Sequence, residues 1–210
     1  MEGSNLQRIA RLLEHLCKSP EDILPYVVKS SVFIKKSPLS LRLPWFSWGA
    51  IRFLDIYICP GMKVFEWGSG GSSLFFGVRQ CKVFSVEDNV NWYQKVVDEI
   101  KKCCLSDINI MLSPYDFYNV KNFEESAYFN PAFNLNTADV IVIDGAEEEV
   151  KVRPKCFEKA QREICSGLIV VDDSWRYPEI IKMSTARKIH RFQGTGPCRP
   201  GVTSTDIHFY

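Results

Sequence analysis

No run of apolar residues in this 210-residue chain approaches the roughly eighteen needed to cross a bilayer, and its first residues lack the unbroken apolar stretch of a secretory signal. The expectation is a soluble, cytoplasmic protein with no membrane partner. Charge of one sign is missing too: 26 Lys and Arg stand against 25 Asp and Glu, for a formal net charge of +1. With both signs interspersed, nothing favours a nucleic acid backbone, and a small-molecule substrate is the more natural partner. The eight cysteines include no C-x-x-C pair, and the three histidines, His15, His190 and His208, lie far from any cysteine cluster, which argues against structural zinc. Reduced thiols are expected, including the adjacent Cys103 and Cys104, with Cys156 and Cys165 in core elements.

What is present turns on residues 62–73, MKVFEWGSGGSS. A short β-favouring run ends at Glu66, after which Gly68, Gly70 and Gly71 permit backbone angles that a side chain forbids. Ser72 and Ser73 then open a helix whose unpaired first-turn amides would face a ligand in the turn. A second strand, residues 82–86, ends in Glu87 and Asp88 about twenty residues on, the spacing at which a carboxylate accepts the hydroxyls of a ribose. Nicotinamide-binding turns carry an apolar or small residue where Glu66 stands, so Glu66 argues for a cationic ligand rather than a diphosphate.

The remaining segments follow the same pattern. Residues 1–18 form an amphipathic helix through Leu6, Ile9, Leu12, Leu13 and Leu16, expected to pack on its own domain, with a membrane-surface helix or a dimer face, hence a homo-oligomer, as alternatives. A second short helix begins at Ser19-Pro20, and Trp45, Phe46 and Trp48 precede a helix that stops at Pro60-Gly61. Trp45 and Trp48 are candidates to line a pocket, although such aromatics usually fill a core. A helix capped by Asp88 or Asn89 and a strand over residues 108–112 come next. The long aromatic stretch 113–137 suits a functional loop, a helical insertion or a lid. Strands over residues 138–143 and 168–171 end in Asp144 and in Asp172-Asp173, and two closing strands, 188–192 and 204–210, flank a Gly/Pro-rich turn.

An acidic residue followed by G-x-G, with Glu87 after the second strand, resembles the first motif of the class I S-adenosylmethionine-dependent methyltransferases. The resemblance runs from about Pro44 to the C-terminus. It implies a Rossmann-like, doubly wound α/β fold: a mostly parallel seven-stranded sheet with an antiparallel C-terminal hairpin over residues 44–210, and an N-terminal helical cap over residues 1–43. S-adenosyl-L-methionine would be the cofactor, held by Glu66, Gly68, Ser69, Gly70, Ser72, Ser73, Glu87, Asp88, Asp116 and Asp144. Glu66 would lie near the methionine end and Asp116, beside Tyr115, near the adenine. No N-P-P-Y or D-P-P-Y follows the fourth strand, so amino-methylating nucleic-acid enzymes match poorly.

The I-D-G run followed by D-D resembles the magnesium-dependent small-molecule O-methyltransferases, in which such acids hold the metal. That implies Asp144 and Asp173 as catalytic residues, with Asp144, Asp172 and Asp173 as ligands if Mg2+ is used. Many such enzymes continue D-G-x-H, whereas Glu147 stands in the histidine's place here. Without metal, Asp144 becomes a base or orienting residue, and Asp172 and Asp173 become caps or pocket-solvating groups. Trp48, Glu147, Trp175 and Arg176 are candidate substrate contacts, with Arg153, Cys156 and Tyr177 near the same sheet edge. A nicotinamide-dependent oxidoreductase and a non-catalytic cofactor-binding module are the alternatives.

Overall fold

Strands tipped with carboxylates lie side by side in the computed structural model, which describes residues 4–29, 36–116, 122–145 and 151–210. The N-terminal part contains helices α1 (Asn5–Lys18), α2 (Ile23–Lys29), α3 (Pro38–Leu41) and α4 (Trp48–Tyr57). Strand β1 (Lys63–Trp67), helix α5 (Gly71–Val78), strand β2 (Lys82–Glu87), helix α6 (Val90–Lys102) and strand β3 (Ile108–Leu112) follow. The second half holds β4 (Val140–Ile143), α7 (Val152–Glu163), β5 (Leu168–Val171), α8 (Pro178–Met183), β6 (Lys188–Gly194) and β7 (Thr203–Phe209).

The seven strands form one sheet in the order β3-β2-β1-β4-β5-β7-β6. Only β7 runs against the others, pairing antiparallel with both β5 and β6. The order reverses between β1 and β4, and register sets Trp67 beside Val86 of β2 and Ile143 of β4. The turns after those strands therefore open into one crevice, where open α/β sheets bind ligands.

Successive strand residues point to opposite faces, and both faces are covered. Phe65, Trp67, Ile141, Ile143, Ile169 and Val171 pack against Cys156, Phe157 and Ala160 of α7. Val64, Val140, Val142 and Val170 pack against Ala50, Ile51 and Leu54 of α4 and Phe75 and Phe76 of α5. Each large side chain so buried contributes about 1.5–3 kcal/mol, so the sheet is a stiff base for the turns above it. The described part of the aromatic stretch belongs to this core: Phe123 and Tyr128 are buried, and Trp67 Nε1 donates to the Tyr128 carbonyl at 3.0 Å. Phe123, Tyr128 and Leu135, with the partly buried Phe129 and Phe133, thus supply part of that core.

The N-terminal helix is only partly covered. None of the residues of α1 is fully buried: Leu6, Ile9 and Leu13 are exposed, while Leu12 and Leu16 of the same apolar stripe are half-buried. What ties it down is polar: His15 Nε2 lies 2.7 Å from Asp22 Oδ2, and Arg52 Nη1 of α4 donates to Asp22 Oδ1 at 2.7 Å. All eight cysteines are free thiols, Cys156 is buried, and Cys165 is exposed just past the end of α7 rather than in the core. No helix among the described residues is long and apolar enough to cross a membrane.

Candidate active site

The glycine turn is fixed by close approach as much as by backbone angle. Gly68 has φ +96°, and a Cβ there would lie 2.9 Å from the Asp144 carbonyl oxygen, so the ends of β1 and β4 nearly touch. A Cβ on Gly71 would lie 2.0 Å from the Leu43 carbonyl oxygen, so the segment before α4 presses on the first turn of α5.

Glu66 sits beneath this turn, fully buried, and is not among the residues that line the cavity above it. Its Oε2 accepts from the hydroxyls of Ser73 (2.5 Å) and Ser85 (2.8 Å), while Ser73 Oγ in turn accepts from the Gly70 amide at 3.1 Å. The carboxyl is therefore a strut that positions the turn from below. Burial pushes its pKa up to about 7, with the Ser73, Ser72 and Ser85 hydroxyls opposing. Oε1 is buried and has no hydrogen-bond partner among the described residues. The resemblance implies a place near the ligand's methionine end, and strand alternation sets the side chain beneath the turn, toward α5, rather than in the cavity lining.

Glu87, at the end of β2, does face the cavity. Its Oε2 accepts from the Ser69 amide (3.1 Å) and hydroxyl (2.7 Å), and its Oε1 from the Asn89 amide (3.0 Å). Burial raises its pKa against those donors. Asn89, not Asp88, caps α6, accepting from the Trp92 amide at 2.9 Å, and Trp92 Nε1 donates to the Ser69 carbonyl at 2.8 Å. That folds the indole against Gly70, where it walls the cavity.

The cavity has a volume of about 520 Å³, within the range of small-molecule sites. Gly68, Ser69, Gly70, Ser72, Glu87 and Asp88 line one end; Trp45, Asp144, Arg153, Asp173, Arg176 and Arg199 line the other. Of the two tryptophans weighed from sequence, Trp45 lines the space and is 45% exposed, whereas Trp48 is 5% exposed and packs in the core. The position is a matter of helix phase, since Trp48 begins α4 and its face turns inward. Asp116 is exposed and away from the cavity lining. Trp175 also stays outside the lining, its Nε1 donating to Asp173 Oδ1 at 3.3 Å. Ser73 lies with Glu66 below the turn, and Glu147 falls outside the described residues.

At the far end, acids from β4 and β5 meet the guanidinium groups of Arg153 and Arg199, with Arg176 Nε 3.8 Å from Asp173 Oδ2. Arg153 of α7 donates to the Asp172 carbonyl (2.7 Å), the Gly145 carbonyl (3.1 Å) and Asp144 Oδ1 (3.1 Å). Arg199 arrives from the turn between β6 and β7 and donates to Asp173 Oδ1 (2.7 Å) and Asp172 Oδ2 (3.0 Å). Thr205 donates to Asp172 Oδ1 at 3.1 Å and Thr203 to Asp173 Oδ1 at 2.5 Å. Burial drives Asp172 well above the usual carboxylate range, with Asp144 adding to the rise. Asp144 is pushed up to about 6 by burial, against Arg153 and Arg199. Burial also acts on Asp173, but Arg199 and Thr203 outweigh it and hold that carboxyl down at about 2.

This donor set does not fit a magnesium ion. Asp172 and Asp173 are occupied by Arg199 and by threonine hydroxyls, Asp144 is paired with Arg153, and Asp172 is fully buried behind the cavity wall. Among the described residues no group of three His, Cys, Asp or Glu is disposed to hold a metal. The Mg2+ option implied by the resemblance therefore finds no support here, since Arg199 already bonds the acids after β5. Sequence reasoning missed Arg199 and Trp92: one lies in a turn read only as a connection, the other on a helix face read only as core. The P-C-R-P run around Arg199, two residues of restricted φ framing a cation, was the available signal.

No protein-family model matches the sequence, and no curated protein matches it. Solved structures do. A cofactor-bound protein from MTB, Rv0187, superimposes with a TM-score of 0.62 at 14% identity, covering 90% of this chain and 95% of that one. A candidate O-methyltransferase from Klebsiella pneumoniae gives 0.61 at 12% identity, covering 97% and 98%. An rRNA methylase from Streptococcus thermophilus gives 0.55 at 10% identity, covering 84% and 98%.

The fold is that of the class I S-adenosylmethionine-dependent methyltransferases. Strand order, the lone antiparallel β7 and the glycine turn after β1 all conform to the methyltransferase sheet expected from the sequence. The methyltransferases that share it act on different acceptors, as the two names above show, so the likeness carries the scaffold and the acceptor has to be argued from the cavity.

Proposed function

We propose that this protein is an S-adenosylmethionine-dependent methyltransferase that methylates an oxygen of a small-molecule acceptor. One observation carries the cofactor assignment: Ser69 and Glu87 are joined at the cavity wall, above a turn whose glycines leave the backbone bare. Glu87 keeps an acceptor site on Oε1, which takes one bond where Oε2 takes two, for a ribose hydroxyl, and Ser69, Gly70 and Ser72 line the adjoining space. The orphaned Oε1 of Glu66 below the turn adds an acceptor of the kind a cationic cofactor stabilises.

When bound, the cofactor supplies an activated methyl group on a sulfonium. The chain's own part is positioning, worth on the order of 7–11 kcal/mol when reacting groups are well oriented, and taking a proton from the acceptor. Asp144 suits that second task. It lines the cavity, among the described residues only its Oδ1 is paired, with Arg153, and a pKa of about 6 leaves it largely ionised at neutral pH yet basic enough to accept a proton. A base of this strength serves a hydroxyl that becomes acidic as it is methylated. The near-neutral charge of the chain supports a small acceptor over a nucleic acid.

The test is incubation with methyl-labelled cofactor and graded panels of hydroxyl, amine and thiol compounds, with RNA as a further arm. Label on a hydroxyl acceptor is expected, and its loss in Asp144→Asn. Label only on amines or RNA would overturn the acceptor assignment; cofactor binding with no transfer to any acceptor would favour a non-catalytic module.

A further inference from the structure

The acids after β4 and β5 and the cation between them form a set that the proposed reaction leaves partly unexplained. Asp172 is fully buried yet bonded to a guanidinium, and Asp173, at φ +48°, holds a strained backbone conformation while accepting from Arg199, Thr203 and Trp175. Such strain persists only where the surroundings over-determine it. Arg199 is held in place from outside the site as well. The Cys198 amide donates to the Lys29 carbonyl at 2.8 Å, Cys198 Sγ lies 3.1 Å from the Lys36 carbonyl, and Tyr26 Oη donates to the Pro200 carbonyl at 3.2 Å. The helical segment before the sheet and the turn before β7 are thereby pinned together, with the guanidinium projecting from the joint into the acids.

We propose that Arg199 is a positioning residue that takes the place of a divalent cation in this site, joining the carboxylates after β5 so that the methyl-transfer site works without metal. The chemistry of the replacement is direct. Three carboxylates at the ends of adjacent strands are hard oxygen donors that would otherwise recruit magnesium or repel one another. Arginine's planar fork spans two carboxylates at once and cannot lose its proton. Nη1 donates to Asp173 at 2.7 Å and Nη2 to both Asp172 at 3.0 Å and Asp173 at 3.3 Å, and Arg199 also acts on Asp144, the proposed base, through its charge. The groups facing Asp144 come from four elements: Arg153 on α7, Arg199 before β7, Asp173 after β5 and Glu66 on β1. Of these two cations, Arg153 is committed to carbonyls as well, and Arg199 is the one that joins the two carboxylates after β5.

This inference rests on the methyltransferase proposal for its role but is tested apart from it, with Mn2+ and guanidinium as probes on the full chain. Electron paramagnetic resonance of added Mn2+ should show only the free ion with wild type and with Arg199→Lys. In Arg199→Ala the vacated acids should bind Mn2+ at least about tenfold more tightly, and Asp173→Asn in that background should abolish the gain. Added guanidinium should raise the melting temperature of Arg199→Ala while leaving wild type unchanged, which a merely structural arginine whose loss collapses the turn would not allow. Wild type that binds Mn2+ at these acids would overturn the proposal, as would a folded Arg199→Ala that takes up neither probe. Should Arg199→Ala fail to fold, Arg199→Lys decides: Mn2+ binding there contradicts the assignment. Absence of S-adenosylhomocysteine binding to wild type, with the probes behaving as stated, would sink the methyltransferase proposal and leave the cation assignment standing.

Discussion

Ser69 donates both its backbone amide and its hydroxyl to one oxygen of Glu87, at 3.1 and 2.7 Å, so the turn after β1 is buckled to the acid that ends β2. That link sets the spacing between the site's backbone cradle and its carboxylate before any ligand arrives. Hydrogen bonds to a charged group are worth about 1.5–3 kcal/mol, so Glu87→Gln should weaken S-adenosylhomocysteine binding about 10- to 100-fold. Calorimetry would check this, and unchanged affinity would remove Glu87 from the site.

The contact at Gly71 leaves no room for a side chain. A methyl group there would meet the Leu43 carbonyl at 2.0 Å, and that neighbour is backbone, not a side-chain tip that could swing aside. Gly71→Ala should cost on the order of 1–3 kcal/mol, which for a chain of this size lowers the melting temperature by several degrees. A scan showing wild-type melting would mean that the segment before α4 is not seated as described.

Trp45 and Trp48 should part company on mutation. Trp48 is buried among core residues, so Trp48→Ala should cost about 3–5 kcal/mol in urea unfolding. Trp45→Ala, at the half-open end of the cavity, should leave stability within about 1 kcal/mol and remove most of the fluorescence change caused by an acceptor. The reverse pattern would exchange their places.

Glu66 gives stability a pH dependence of definite sign. Its pKa is about 7 in the folded protein against 4.5 for the unperturbed group, so between those values the folded state binds more protons than the unfolded one. Its contribution is fully present below pH 4.5 and is lost as pH rises through 7, a change on the order of 3 kcal/mol. Asp144 and Asp172 act in the same direction and Asp173 in the opposite one. In Glu66→Gln, the fall in unfolding free energy from pH 5 to pH 8 should shrink by that amount. An unaltered slope would show that Glu66 ionises freely.

Much of the scaffold was legible because its signals are local. Glu66, Glu87, Asp144 and Asp172 each follow an apolar run, and a strand that ends in an acid announces both its length and its carboxyl end. The 3.6-residue stripe of α6 showed its buried face through Val96 and Ile100 in the same way. What the pattern did not carry was the long-range geometry. Whether Glu66 points up at a ligand or down at Ser73 depends on strand phase relative to α5, and whether Trp45 or Trp48 meets the cavity depends on where α4 starts. Arg199 is 26 residues from Asp173 in sequence, joined to it only by the fold, so no spacing rule could pair them. The stripe of α1 shows a further limit: an amphipathic pattern shows that a face is apolar, not how much of it the chain itself covers, and here Leu12 and Leu16 are half-buried while Leu6, Ile9 and Leu13 are exposed.

The central claim is that the space between the glycine turn and Glu87 holds the adenosyl cofactor, and titration calorimetry with S-adenosylhomocysteine tests it most directly. The account predicts saturable binding at one site per chain, accompanied near pH 7 by proton release as the ligand's ammonium group favours ionised Glu66, with nicotinamide dinucleotide giving no heat. Silence from S-adenosylhomocysteine at millimolar concentration, or saturation by the dinucleotide instead, would contradict it.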